Sequence, residues 1–281
     1  MPDLRPMDFG EILDGSLMIY RRHFGLFLKL SMAALSVPLV LLVYFGLQAV
    51  ALLQQNPLRA VLYLLPVGLV YYVAALVLTA GTIRVISDSY LGREPQLRDA
   101  LALGWSKIWP LTAVGFGKGI VLMLIILGVS VVAGVGATLV KGAGALLIVA
   151  LVLVGCWFTV FVACGYGVTT PVVVLEDLRS SFDAFGRSWE LTRGFKWKVL
   201  WLAVVAVLLT NMLPSLVFRG LGAAFLGSVP PLGVALTAVG YVAPVVLAPV
   251  LAAVITLMYY DLRVRREAFD LQVLGQQLGI I

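Results

Sequence analysis

The chain has 281 residues, 62% of them hydrophobic and 12% charged, with 20 Lys and Arg, 14 Asp and Glu, one histidine and two cysteines. A soluble domain carries roughly 45–50% apolar and about 25% charged residues, so there is too little charge here to cover a surface in water, and lipid is the expected solvent. The same arithmetic excludes disorder, collagen, coiled coil and a secreted disulfide scaffold. It also leaves little material for metal or nucleophile chemistry, and no cofactor, metal or nucleic-acid partner is expected.

The first element in chain order is a short amphipathic helix. Asp8-Phe9-Gly10-Glu11 has capping-box spacing, and the helix runs past Asp14 to Tyr20-Arg21-Arg22. No cleavable leader is expected, because the first apolar run is too long for one and lacks a small-residue cleavage site. Six stretches then reach the roughly 20 apolar residues that a spanning helix needs: about Leu26–Leu53, Ala60–Val85, Trp109–Ala133, Ala145–Thr170, Val199–Phe218 and Val234–Tyr259. Tight turns separate the members of each pair, at Gln54-Gln55-Asn56-Pro57, Lys141-Gly142-Ala143-Gly144 and Gly227-Ser228-Val229-Pro230-Pro231. Longer connections, around 86–108 and 171–198, lie on the other side with both termini. Prolines 38, 66, 171 and 214 fall in or near spans and should kink them.

Seventeen of the 20 basic residues lie on the side of the long connections, which leaves Arg59, Lys141 and Arg219 for the other. Positive-inside bias then places both termini in the cytoplasm of a bacterial cell membrane. All 14 carboxylates fall on that side as well.

Three segments on the basic side look alike. Asp14, Asp99 and Asp183 are each followed by a small residue (Gly15, Ala100, Ala184) and, six positions on, by an aromatic one (Tyr20, Trp105, Trp189). A second set of markers closes the even-numbered spans at Asp88, Asp177 and Asp261, the last two within Glu176-Asp177-Leu178-Arg179 and Tyr260-Asp261-Leu262-Arg263. The period is about 85 residues. The expected fold is an all-α membrane protein of six transmembrane helices arranged as three hairpins. Each hairpin is preceded by a short cytoplasmic amphipathic helix at the interface. The whole is one domain, 1–281, with repeat units near 8–88, 95–177 and 180–263 and a cytoplasmic tail over 264–281. On a helical wheel Phe182, Phe185, Gly186 and Trp189 share an arc, as do Leu97, Leu101, Gly104 and Ile108, and Pro95 suits a first helical position.

Two sets of residues carry the candidate chemistry. Anionic headgroups or other membrane proteins would meet the basic and aromatic collar of Tyr20, Arg21, Trp105, Lys107, Arg187, Trp189 and Arg193. An intramembrane polar site would centre on Lys118, about 13 Å into the bilayer by helical rise, with Asp88, Glu176 or Asp177 to pair with it. Asn211 reads as a buried polar group in the fifth span, bonding between helices. His23 reads as an interfacial histidine. Cys156 and Cys164, about 12 Å apart along a helix, read as packing residues. Gly115-Phe116-Gly117-Lys118-Gly119 lacks phosphate-loop spacing and reads as helix contact.

Several of these runs resemble bacterial integral membrane proteins of the glycerophosphoryl diester phosphodiesterase membrane-domain type. They are Leu4-Arg5-Pro6 through Phe9-Gly10-Glu11-Ile12-Leu13-Asp14, Tyr20-Arg21-Arg22, Pro171 to Asp177, Arg187-Ser188-Trp189-Glu190-Leu191-Thr192-Arg193-Gly194 and Tyr260-Asp261-Leu262-Arg263. The resemblance implies a six-helix membrane module. In some bacteria that module is fused to a catalytic barrel, whose metal-binding carboxylates and paired histidines have no counterpart beside a single histidine. A non-enzymatic module engaging lipids or membrane partners is therefore expected. A transporter or permease component for an amphiphilic, lipid-like solute is the alternative.

Overall fold

Polar and proline residues set the helix ends. Asn56 caps the helix that follows it, its side-chain oxygen accepting from the Arg59 N–H at 3.2 Å, with Pro57 in the first turn where no donor is needed. At the N-terminus the Asp8 N–H donates to Glu11 Oε2 at 2.8 Å, one half of the expected capping box. The computed structural model describes residues 5–139 and 144–267 and is helical, with no strand among the described residues. Residues 141–143 of the expected turn and most of the tail lie outside them.

In chain order the helices are α1 (Phe9–Arg22), α2 (Phe24–Gln55), α3 (Pro57–Tyr90), α4 (Leu97–Ser106), α5 (Ile108–Leu139), α6 (Gly144–Gly165), α7 (Thr169–Leu175), α8 (Asp183–Thr192), α9 (Lys196–Val207), α10 (Leu213–Phe225) and α11 (Pro230–Glu267). A π-turn, Leu208–Met212, joins α9 to α10. Among the described residues six stretches are long and apolar enough to cross a membrane: Phe24–Gly46, Pro57–Tyr90, Ile108–Gly136, Ile148–Leu175, Lys196–Phe225 and Pro230–Glu267. The chain is thus built as a polytopic membrane protein. Exposed leucines and valines such as Val40, Leu69, Leu153 and Leu216 carry no cost of exposure there, because lipid is as apolar as they are.

The prolines behave differently from one another. Pro38 and Pro66 lie inside continuous helices, whereas Pro214 is the second residue of α10, just past the π-turn. Pro171 cannot donate to the carbonyl of residue 167, and the fourth span breaks just before it, between α6 and α7. Pro95 is not a first-turn residue, since Gln96 caps α4 and the helix begins at Leu97.

The described residues divide into two compact units, one taking those up to 109 and from 202 onward, the other 110–201. The boundaries fall inside α5 and α9. In the first unit α2 packs along α3 and α10 along α11, while α1 lies on α11 and α4 on α3. Its core is concentrated where the chain is basic: Phe27, Leu30, Val85, Ile86, Ala100 and Ala253 cluster there. Buried residues in α3 run mostly from 77 to 88, and in α11 from 249 to 264. In the second unit α8 packs on α6 and α7. The buried face of α8 is Ala184, Ser188, Leu191 and Thr192, and Phe182 of the aromatic arc is exposed. Small and hydroxylated residues win that face because they let α8 approach the broken span.

Candidate functional site

The break in the fourth span leaves helix-end carbonyls in need of donors. The Gly165 carbonyl takes the Ser188 hydroxyl at 2.8 Å, and the Thr192 hydroxyl lies 3.2 Å from it while meeting the Ser188 carbonyl more closely, at 2.8 Å. The Tyr166 carbonyl takes the Thr169 hydroxyl at 2.8 Å and the Lys118 ammonium at 3.4 Å. Lys118 therefore reaches a carbonyl and none of the three carboxylates expected as its partners. A cation at a helix C-terminus is favourably placed against the dipole. Glu176 is bound instead by Arg187, whose Nε donates to Oε2 at 3.0 Å, and Asp177 is exposed.

The same break brings Trp189 onto the end of α6. A Cβ at Gly165 would overlap the indole, so only glycine permits the contact. Trp189 lies 5.8 Å from both Phe161 and Tyr166, ring centre to ring centre. Chain direction then reverses at Gly194, whose φ of +85° is left-handed backbone that glycine adopts without strain. The reversal returns Lys196 over the rings, with its ammonium 3.3 Å from the centres of both Phe161 and Trp189. Lys196 makes no ion pair among the described residues.

These residues line a cavity of about 560 Å³ within the second unit. Trp157, Phe161, Trp189 and Trp197 supply aromatic wall, Cys156 and Cys164 lie along α6, and Arg193 and Lys196 bring two cations. From Cys164 to Cys156 the helical rise is about 12 Å. The cavity is thus shaped as an apolar slot with positive charge at one end. Such a slot can hold an acyl or prenyl chain while cations meet an acidic head. Lys118 does not line it.

Of the residues expected to form the collar, Trp189 and Arg193 come together at this cavity, while Arg187 is engaged by Glu176. The other four belong to the first unit. Trp105 is 64% exposed and lines a separate apolar cavity of about 480 Å³ with Pro38, Leu69 and Val77. Lys107 ends α4, and Arg21 is exposed. Tyr20 is a tether, its hydroxyl donating to the Val246 carbonyl at 3.0 Å and its ring stacked 6.1 Å from Phe27. Asp88 is buried against Arg84 at 2.8 Å. Asn211 is exposed on the π-turn, not buried between helices as expected, because the turn carries it off the face that packs on α11.

Lys196, Phe161 and Trp157 were not legible as site residues in the sequence. Alternation of aromatic and basic residues in Phe195-Lys196-Trp197-Lys198, directly after Arg193-Gly194, was the available signal.

The first unit has a polar lock at its basic end. Asp261, fully buried, accepts from the Met7 N–H at 2.8 Å and from Arg265 Nε at 3.0 Å, and Arg265 Nη2 donates back to the Met7 carbonyl at 3.0 Å. One residue near the N-terminus is thereby gripped on both its backbone polar groups. Ser87 and Tyr260 share a hydrogen bond at 2.6 Å, and His23 Nε2 meets the Ser89 hydroxyl at 3.0 Å. Each of these groups is engaged within the fold, which makes this end a fastening. No family model, no curated protein and no solved structure matches the chain.

Proposed function

We propose that the protein is a non-enzymatic, multi-pass module of a bacterial cytoplasmic membrane, with both termini in the cytoplasm. Its cytoplasmic face binds an anionic amphiphile in the cavity of residues 110–201. The observation that carries this reading is Lys196, a cation held between two rings at the rim of an apolar slot, with no carboxylate paired to it among the described residues. Ring faces stabilise an ammonium electrostatically, yet they leave its charge uncompensated, and an acidic headgroup supplies what is missing. Arg193 beside it adds a forked donor suited to phosphate or carboxylate.

The reading takes the chain as three hairpins, each led by an interfacial helix. Support comes from the small residue after each repeated aspartate. A Cβ at Gly15 would sit 3.3 Å from the Leu257 side chain, and Ala100 and Ala184 are fully buried. A packed small residue at the same register in α1, α4 and α8 is what three copies of one docking helix would have.

The test is native mass spectrometry of the delipidated full chain, titrated with phosphatidylglycerol, phosphatidylcholine or oleate. One phosphatidylglycerol should be retained in preference to phosphatidylcholine, and Lys196→Gln should weaken it about tenfold, the worth of one charge-assisted contact. Oleate held as well as phosphatidylglycerol would assign the head to a carboxylate. Equal retention of all three by wild type and variant would overturn the reading.

A further inference from the structure

Asn211 lies midway along the thirty-residue span Lys196–Phe225. It is exposed, and it makes no hydrogen bond among the described residues. Its exposed neighbours one and two turns before it on the same face, Val207 and Val204, are apolar. At this depth the surroundings are hydrocarbon, which offers an amide neither donor nor acceptor. The turn that carries Asn211 has a second shortage. Pro214 has no N–H, so one carbonyl of the preceding turn lacks its helical donor. The hydroxyl of Thr210 is turned to the Ala206 carbonyl at 2.7 Å. A π-turn inside a spanning helix is itself an uncommon local cost, often associated with functional sites.

We propose that this face is where a second copy of the chain docks. Two spans would be related by a two-fold axis along the membrane normal, with each Asn211 amide donating to the other's carbonyl oxygen. The occupant follows from the chemistry. An amide is donor and acceptor at once and is complementary to itself across a two-fold axis, which is the requirement of an isologous contact. The residues within one turn of it, 207–215, carry no charge, so two identical faces meet there without repulsion. Membrane insertion already orients both copies in parallel, and interhelical hydrogen bonds are a recognised source of helix association in lipid. The proposal does not depend on the amphiphile cavity.

Asn211→Cys, in a Cys156→Ala, Cys164→Ala background, tests it by oxidative crosslinking of the full chain in native membranes. A covalent homodimer should form from position 211. It should not form from Leu216→Cys, also an exposed site but about 140° round the helix. In lipid nanodiscs or detergent, Asn211→Leu should weaken dimerisation about tenfold, and Asn211→Gln should restore part of it. Equal crosslinking at 211 and 216, a crosslink to a different protein, absence of any crosslink at 211, or a dimer unchanged by Asn211→Leu would each overturn the proposal.

Discussion

At the end of α11 the sequence Tyr260-Asp261-Leu262-Arg263 presents a fully buried carboxylate, held by Arg265 and by the Met7 N–H. At the end of α7 the near-identical Glu176-Asp177-Leu178-Arg179 presents an exposed one, and the neighbouring Glu176 takes the ion pair. Helix length separates the two outcomes. α11 continues to Glu267, so Arg265 stands one turn past Asp261 and reaches it. α7 stops at Leu175 with Glu176 in extended backbone, and Asp177 has no residue one turn on along a helix. The same four-residue motif therefore closes one unit over its own N-terminal segment, while in the other the chain turns at Gly194 and lines an open cavity. A local motif sets which groups are available, and the path of the backbone decides which of them meet.

If the lock in the first unit is a fastening, breaking it should have the largest effect on folding. Asp261→Ala removes the buried carboxylate that Arg265 and the Met7 N–H share. Removal of one partner from a buried pair costs about 3–5 kcal/mol, and the lower end is expected because Arg265 is partly exposed. Thermal unfolding of the detergent-solubilised chain should register this loss. Asp177→Ala should leave the midpoint unchanged, and equal effects of the two substitutions would erase the contrast between the units.

The next effect belongs to the second unit. Gly165→Val drives two methyl groups into the indole of Trp189 and should cost about 1–3 kcal/mol, as overpacking does. It should also abolish retention of phosphatidylglycerol, since Trp189 forms a wall of the cavity. Ser188→Ala comes below it, at about 1 kcal/mol for one hydrogen bond to the Gly165 carbonyl. A loss of stability without a loss of lipid in Gly165→Val would separate the cavity from the function assigned to it.

The six spans were legible because a run of roughly twenty apolar residues is what a bilayer-crossing helix requires, and a surface facing water rarely tolerates one. Asn56-Pro57 was legible as a turn because its capping chemistry is local. What the sequence withheld depends on contacts between distant residues. The wheel of α8 grouped Phe185 and Trp189 on one arc but could not show which face packs: a helix lying against a broken span buries what can satisfy its orphaned carbonyls, here Ser188. Lys118 invited a carboxylate partner on grounds of charge, yet the break before Pro171 offered a carbonyl with helix-dipole character. Lys196 counted in the sequence only among the basic residues on the side of the long connections. Its position between two rings follows from Gly194 and Gly165, neither of which carries chemistry of its own.

The smallest expected effect is on pH dependence, and it bears on the first unit alone. His23 joins α1 to α2 and meets Ser89. Partial burial and the adjacent Arg22 hold its pKa below the ordinary imidazole value, with Glu94 opposing them more weakly. On acidification the unfolded chain therefore takes up the proton first. The stability tied to the neutral ring is complete above about pH 6.5 and is lost as pH falls below that towards the folded-state value. The unfolding midpoint of wild type should drop between pH 7 and pH 5 more than that of His23→Gln, by an amount kept small because the ring is only partly buried. Phosphatidylglycerol retention should change with pH to the same extent in both proteins, since the cavity lies among residues 110–201. A retention profile altered by His23→Gln would mean that the closure of one unit controls the cavity of the other, and the contrast between a fastened end and a receptive one would become a coupling between them.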